Sequence, residues 1–299
     1  MAPPNRLPER GVNQAKGLHS EPCETSAGAV RRTEENGEGC MASGENGNRW
    51  FVIPKRNPEA LVRLFCFPYA GGTALTYRTW PEGLSRDIEV CAVQIPGRGI
   101  RIHEPPFTDL TLLVRAISGA LHSHLDKPFA FFGHSMGALM AFELASVLQR
   151  ERGIEPLHLF VSGGRAPGSS SKPGPVTFDL PDSEFVEHLR RLNGTPKEVL
   201  EHPELMQLML PLLRADFQMV QTFRYTGAPF LGCPITAFGG WEDREITIED
   251  IEAWGDHTTS RFSMHMMPGD HFFLQTCQQK LLRVLDEDLN RCVRRSAAL

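Results

Sequence analysis

Three side chains carry the chemistry this sequence offers: Ser135, Asp243 and His271. Ser135 stands at the centre of Gly133-His134-Ser135-Met136-Gly137. A serine hydroxyl is a poor nucleophile at neutral pH and needs an adjacent base. That base in turn needs a carboxylate, which fixes its tautomer and stabilises the imidazolium formed during reaction. His271 follows Pro268-Gly269-Asp270 after the last strand-like run and is read as the base. Asp243 follows Gly239-Gly240-Trp241-Glu242 after the preceding strand-like run and is read as the acid. The chain order Ser, acid, His is the one expected where a G-x-S-x-G turn joins a strand to a helix.

The remaining candidates fit less well. His257 lies in a helix-to-strand connection and is the weaker alternative base. His265 is in mid-strand, and His122 and His124 fall on a helix. His134, inside the glycine-flanked turn, points away from where Ser135 presents its oxygen and is read as a structural partner. Glu242 and Glu245 share the Asp243 loop and are expected to be solvated. Asp270 adjoins His271, but an adjacent side chain normally projects elsewhere. Two backbone N–H groups are needed for the developing oxyanion. Met136, directly after the nucleophile, supplies one. The turn Tyr69-Ala70-Gly71-Gly72 supplies the other, with Ala70 favoured. No HExxH, P-loop or GxGxxG is present, so neither metal nor cofactor is expected.

These residues need a frame. Phe129–Phe132 is an unbroken apolar run, as in a parallel strand buried on both faces. Beyond the turn, apolar residues recur at helical spacing: Leu139, Phe142, Leu144, Ala145 and Leu148. The turn is so sharp that side chains at Gly133 and Gly137 would collide with the neighbouring strand and helix. Further strands are expected at 61–67, 88–95, 156–161, 233–238 and 261–267. Helices are expected from Thr108-Asp109, near 248–254 and over about 273–289. Strands alternating with helices predict an α/β fold, a mostly parallel sheet with helices on both faces.

The alternation breaks between about 165 and 230. Asp182-Ser183 opens a short helix, Thr195-Pro196-Lys197-Glu198 has the form of a capping box, and a third helix runs from about 203 to 223 with Pro211 inside. This insertion reads as a helical lid, rich in Met and Leu, with Met206, Met209, Leu213 and Phe217 as candidate substrate-channel residues. Residues 1–48, which lack Ile, Phe, Trp and Tyr, read as a disordered extension. Residues 49–299 form the expected folded domain, and a start at Met41 is expected to suffice. The net charge of −5 gives no support for nucleic-acid binding, and no apolar run reaches 18 residues. Seven scattered cysteines without a CxxC fit reduced thiols in a cytoplasmic protein, expected to be a monomer.

Taken together, Phe67-Pro-Tyr-Ala-Gly-Gly72, Pro96-Gly-Arg98 with Arg101, Gly-His-Ser-Met-Gly137, Arg165-Ala-Pro167, Leu213-Arg-Ala-Asp216 and Pro268-Gly-Asp-His-Phe-Phe-Leu274 resemble a type II thioesterase. These are α/β-hydrolases that serve nonribosomal peptide and polyketide synthases, related to the medium-chain thioesterase of fatty acid synthase. The resemblance covers about residues 50–290. It implies hydrolysis of acyl groups from the phosphopantetheine thiol of an acyl or peptidyl carrier protein, with Ser135, Asp243 and His271 in the triad positions and Ala70 and Met136 at the oxyanion hole. Two departures stand out: Asp270 where glycine is usual, and Tyr69 where histidine is common. Three other readings stay open at this point: a carboxylesterase or lipase, a carrier-protein binding module without catalysis, and acyl transfer instead of hydrolysis.

Overall fold

The computed structural model describes residues 49–169, 176–192, 197–227 and 229–296. The N-terminal extension, Met41 and the Thr195-Pro196 start of the expected capping box lie outside these residues.

Seven strands form one sheet in the order β1-β3-β2-β4-β5-β6-β7. They are β1 (Phe51–Val52), β2 (Val62–Phe67), β3 (Ile88–Val93), β4 (Phe129–His134), β5 (Leu159–Ser162), β6 (Ile235–Gly240) and β7 (Phe262–Met267). All pairings are parallel except that of β1 with β3. The two-residue antiparallel edge strand β1 is absent from the expectations. It is too short to show any periodicity.

The strands β2 to β6 are buried along their whole length, which explains their continuous apolar runs. Alternate side chains feed two cores. On one face Phe65, Phe67 and Phe131 pack with α1 (Leu110–Leu121), α2 (Met136–Arg152) and Trp254. On the other, Val62, Leu64, Cys66 and Phe132 pack with Tyr77, Trp80 and the apolar stripe Leu281, Leu285 and Leu289 of the C-terminal helix. Helix α1 starts where Asp109 accepts a hydrogen bond from Leu112 N–H, a side-chain cap on an otherwise unpaired donor.

The 165–230 region carries α3 (Asp182–Leu192), α4 (Lys197–Leu200) and α5 (Pro203–Thr222), with Pro211 inside α5, and no named strand among its described residues. These helices enclose a small core of their own: Phe185, Leu189, Met206, Leu210 and Leu213. Helix α6 (Ile248–Glu252) begins at a capping box, Thr247 with Asp250, and continues to His257 as a tighter turn. The expected single C-terminal helix is two, α7 (Phe273–Thr276) and α8 (Gln278–Ser296). They break at Cys277, whose thiol reaches back to the Pro268 carbonyl at 3.3 Å. No helix among the described residues is long and apolar enough to cross a membrane.

Candidate active site

The sheet register aligns the ends of its strands. Phe67 pairs with Gly133, His134 with Ser162, and Gly240 with Met267. The loops leaving β2, β4, β6 and β7 therefore emerge along one edge, the carboxyl edge where open α/β sheets bind ligands. Those loops carry Ala70, Ser135, Asp243 and His271.

Ser135 is the only non-glycine residue with positive φ among the described residues (φ 53°, ψ −117°). Such a conformation persists only where the surroundings over-determine it. Here the Ser135 N–H donates to the Ser162 carbonyl at 2.7 Å, and the chain enters α2 at the next residue. A Cβ on Gly133 would lie 2.0 Å from the Gly137 carbonyl oxygen, and one on Gly137 would lie 2.1 Å from that of Phe67. Both obstacles are main chain and cannot swing aside. The glycines let the helix start against the strand ends, which lifts the serine above them.

Asp243 and His271 meet across the gap between the β6 and β7 loops. Asp243 Oδ2 lies 2.7 Å from His271 Nδ1, with the carboxylate fully buried. Its other oxygen, Oδ1, accepts from the N–H groups of Glu245 (2.9 Å) and Ile246 (3.2 Å). Asp243 thus orders its own loop and presents the remaining oxygen to the imidazole. That contact fixes the His271 proton on Nδ1 and leaves Nε2 as the basic nitrogen. The neighbouring acids do not compete. Asp270 Oδ1 accepts from Phe272 N–H at 2.9 Å, while Glu242 and Glu245 are exposed.

His134 packs ring against ring with His271, centroids 5.3 Å apart. Its Nδ1 bonds to Ser162 Oγ at 2.9 Å, and its buried Nε2 lies against the His271 main chain. Burial, with His271 close by, holds its pKa well below the usual histidine value, so this ring is a neutral brace. Tyr69 stands edge-on to both His134 and Phe272, and its hydroxyl accepts from Gln275 Nε2 at 3.2 Å. The alternative base His257 is buried instead against Phe142, Tyr225 and Trp254 on the far side of α2. His265 stacks on Phe238 within the sheet.

The N–H groups facing this constellation are restricted by their other bonds. In the turn after β2, Gly72 N–H donates to the Tyr69 carbonyl (2.8 Å) and Gly71 N–H to Asp216 Oδ2 (2.7 Å). The Ala70 N–H has no partner among the described residues. Met136 opens α2, where backbone donors lack a helical acceptor. The Met136 amide adjoins Ser135 in sequence, and the Ala70 amide lies in the turn after β2, the strand paired with β4.

Of the four lid side chains named from sequence, Met206 and Leu213 are buried and Met209 and Phe217 half-buried, all within the core that α3 and α5 share. Leu213 alone reaches the site loops: its Cδ2 lies 2.7 Å from where a Cβ on Gly71 would stand. Asp216, one turn further along, had no role assigned from sequence. The signal was available, since a carboxylate among Leu212, Leu213, Ala215 and Phe217 is unusual unless it is paired.

The chain is similar to known proteins over most of its described length. The chain matches the family described as "Thioesterase domain" over residues 62–289. It is 49% identical over 245 residues to a Brevibacillus parabrevis protein named "Linear gramicidin dehydrogenase LgrE", covering 81% of this chain and 93% of that one. It is 43% identical to "Gramicidin S biosynthesis protein GrsT" of Aneurinibacillus migulanus, covering 81% and 94%. Among solved structures, the "type II thioesterase BorB from the borrelidin biosynthetic cluster" superposes with a TM-score of 0.75 at 36% identity, covering 82% of this chain and all of that one. The match to the thioesterase domain over most of the folded chain, with relatives 36–49% identical over nearly their whole length, shows that the chain belongs to the thioesterase family as a type II thioesterase.

Proposed function

We propose that this thioesterase hydrolyses acyl groups carried on the phosphopantetheine arm of an acyl or peptidyl carrier protein, in the cytoplasm, through Ser135, His271 and Asp243. The observation that carries the assignment of roles is the 2.7 Å contact between Asp243 and His271, on loops that leave the same sheet edge as the positive-φ serine. His271 Nε2 takes the Ser135 proton as Oγ attacks the thioester carbonyl. The Ala70 and Met136 N–H groups hold the oxyanion, and the pantetheine thiol departs. A thiol, with a pKa of about 8.5, leaves with less help from a general acid than an amine needs. Water deprotonated by His271 then attacks the acyl-enzyme and releases the acid.

The carrier-bound substrate is supported by the names of similar structures, two of which are assigned to NRPS/PKS pathways, those of colibactin and yersiniabactin. A reducing compartment is supported by the five cysteines of the described residues, which are thiols outside any disulfide, four of them buried. The test is steady-state hydrolysis of acyl-carrier-protein, acyl-CoA and oxygen-ester substrates of graded chain length, with Ser135→Ala as the blank. Preference for carrier-bound thioesters and a silent Ser135→Ala variant are expected. Faster turnover of oxygen esters would make this a carboxylesterase, and residual turnover in Ser135→Ala would move the nucleophile elsewhere.

A further inference from the structure

The buried pair Arg98–Asp216 joins three segments far apart in sequence. Arg98 Nη1 and Nη2 donate to the two Asp216 carboxylate oxygens, each at 2.7 Å. Neither residue reaches solvent: Arg98 is 1% exposed and Asp216 0%. Taking two charges out of water costs several kcal/mol per ion, and a well-packed apolar pair is often as stable or more so. Stability alone is thus a weak reason for such a pair here. Its remaining bonds show where it acts. Asp216 Oδ2 accepts the Gly71 N–H at 2.7 Å, and Arg98 Nη1 reaches the Gly72 carbonyl at 3.3 Å.

Both contacts fall on the turn that presents the Ala70 amide. Tyr69–Gly72 is closed by the Gly72 N–H bond to the Tyr69 carbonyl, and Gly71 has φ +77°. A positive φ at the third position is that of a type II turn. Such turns interconvert with type I by flipping the central peptide, here Ala70–Gly71. The flip would aim the Ala70 carbonyl, in place of the Gly71 N–H, at the Asp216 carboxylate. Oxygen facing a buried carboxylate is repelled, so Asp216 selects one peptide orientation. Arg98 holds the carboxylate in place and grips the next peptide through Gly72.

We propose that Arg98 and Asp216 are positioning residues for the oxyanion-binding turn, and that this turn is set only while the second half of α5 is docked on it. The proposal rests on the reading of Ala70 as an oxyanion donor. Asp216 belongs to α5, the helix that also packs Leu213 over Gly71 and Leu212 against Gly97. The pair therefore makes the geometry at the catalytic carbonyl depend on the docking of a lid helix. Gln94 supports the arrangement from beneath, accepting the Ala74 N–H at 3.2 Å and donating to the Arg98 carbonyl at 2.9 Å.

The test separates stability from positioning. Arg98→Met with Asp216→Leu replaces the pair by apolar side chains that keep the fold without an acceptor for Gly71. Asp216→Asn keeps one acceptor oxygen but breaks the two-pronged contact. Each variant is followed by urea unfolding, by kcat and KM for an acyl-CoA thioester, and by the second-order rate of Ser135 labelling with a fluorophosphonate. Displacing a group in such a site by about 1 Å costs on the order of 10²-fold. The folded double variant is therefore expected to lose about 10²-fold in kcat and a similar factor in labelling rate, with KM within about threefold. Asp216→Asn is expected to lose about tenfold in both. A folded double variant with kcat and labelling near wild type, or a loss confined to KM, overturns the proposal. If the double variant does not fold, Asp216→Asn decides, and wild-type kcat in that protein overturns it. Labelling needs no thioester, so a wrong substrate assignment would show as wild-type protein that labels without turning over carrier-bound substrate.

Discussion

Asp243→Asn tests the acid assignment with the smallest change in shape, and the structure dictates how the new amide must sit. Two backbone N–H groups, of Glu245 and Ile246, point at Oδ1 and leave Oδ2 for His271. An asparagine can satisfy both donors only by turning its carbonyl oxygen toward them. Its NH2 group then faces His271 Nδ1 and donates to it. The imidazole proton is driven to Nε2, the nitrogen that must accept the Ser135 proton. The opposite amide orientation would restore the tautomer but oppose NH2 to these two N–H donors, one exposed and one partly buried. Losing two such bonds costs about 1–3 kcal/mol. At about 1.4 kcal/mol per factor of ten, between about 1 in 5 and 1 in 150 molecules would hold the productive tautomer. The lost negative charge also removes stabilisation of the imidazolium. The expected result is a kcat lower by about 10³–10⁴, close to the effect of the same change in serine-protease triads. Unfolding free energy should move by less than about 1 kcal/mol, because both loop bonds survive. The assay is thiol release from a short acyl-pantetheine thioester, with urea unfolding on the same samples. Activity within tenfold of wild type would refute the reasoning and pass the role to Glu242 or Asp270.

Three further outcomes follow from the same structure. Gly137→Ala puts a methyl group 2.1 Å from the Phe67 carbonyl oxygen, so α2 or the β2 end must move. Overpacking of this kind costs about 1–3 kcal/mol, and fluorophosphonate labelling should fall with it. Gly119→Ala in α1, where nothing lies within 4 Å, should instead stabilise by about 0.4–1 kcal/mol and leave turnover unchanged. Acid should destabilise the protein through its buried histidines. His158 is held down to about 4 by burial, and His134 lies well below its ordinary value for the same reason. Their unfolded forms take up protons below about pH 6.5 while the folded forms do not, so stability is present above that pH and is lost as pH falls towards the folded values. From pH 7.5 to pH 5 His158 alone should remove about 2 kcal/mol, read as a shift in the urea midpoint. Glu143, raised to about 7 by burial, works in the opposite direction and offsets part of the loss. A His158→Asn variant with an unchanged slope between these pH values would contradict the assignment.

Local pattern and punctuation made most of this fold legible. A strand buried on both faces writes itself as an apolar run, and a forced close approach writes itself as glycine, as at Gly133 and Gly137. The order of Ser135, Asp243 and His271 then followed from which strand-like run each one trails. What escaped was either too short or too distant. Strand β1 is two residues long and owes its place to pairing with β3. The break at Cys277 coincides with a contact between its thiol and the Pro268 carbonyl, which helical periodicity does not encode.

The Arg98–Asp216 pair escaped for a more instructive reason. The two residues are 118 positions apart, and each stands in a segment whose local pattern is already accounted for, a glycine turn in one case and an amphipathic helix in the other. Only folding brings a cation and an anion together in a place where neither could remain alone. Ser135, Asp243 and His271 can be found by asking what chemistry a residue type permits. Arg98 and Asp216 are found by asking what a buried charge is bonded to besides its partner. Here the answer is the Gly71 amide and the Gly72 carbonyl, both in the turn that carries the Ala70 amide. The second half of α5 and the Tyr69–Gly72 turn are thus held to each other by a carboxylate bonded to both the turn and Arg98 and by the packing of Leu213 on Gly71.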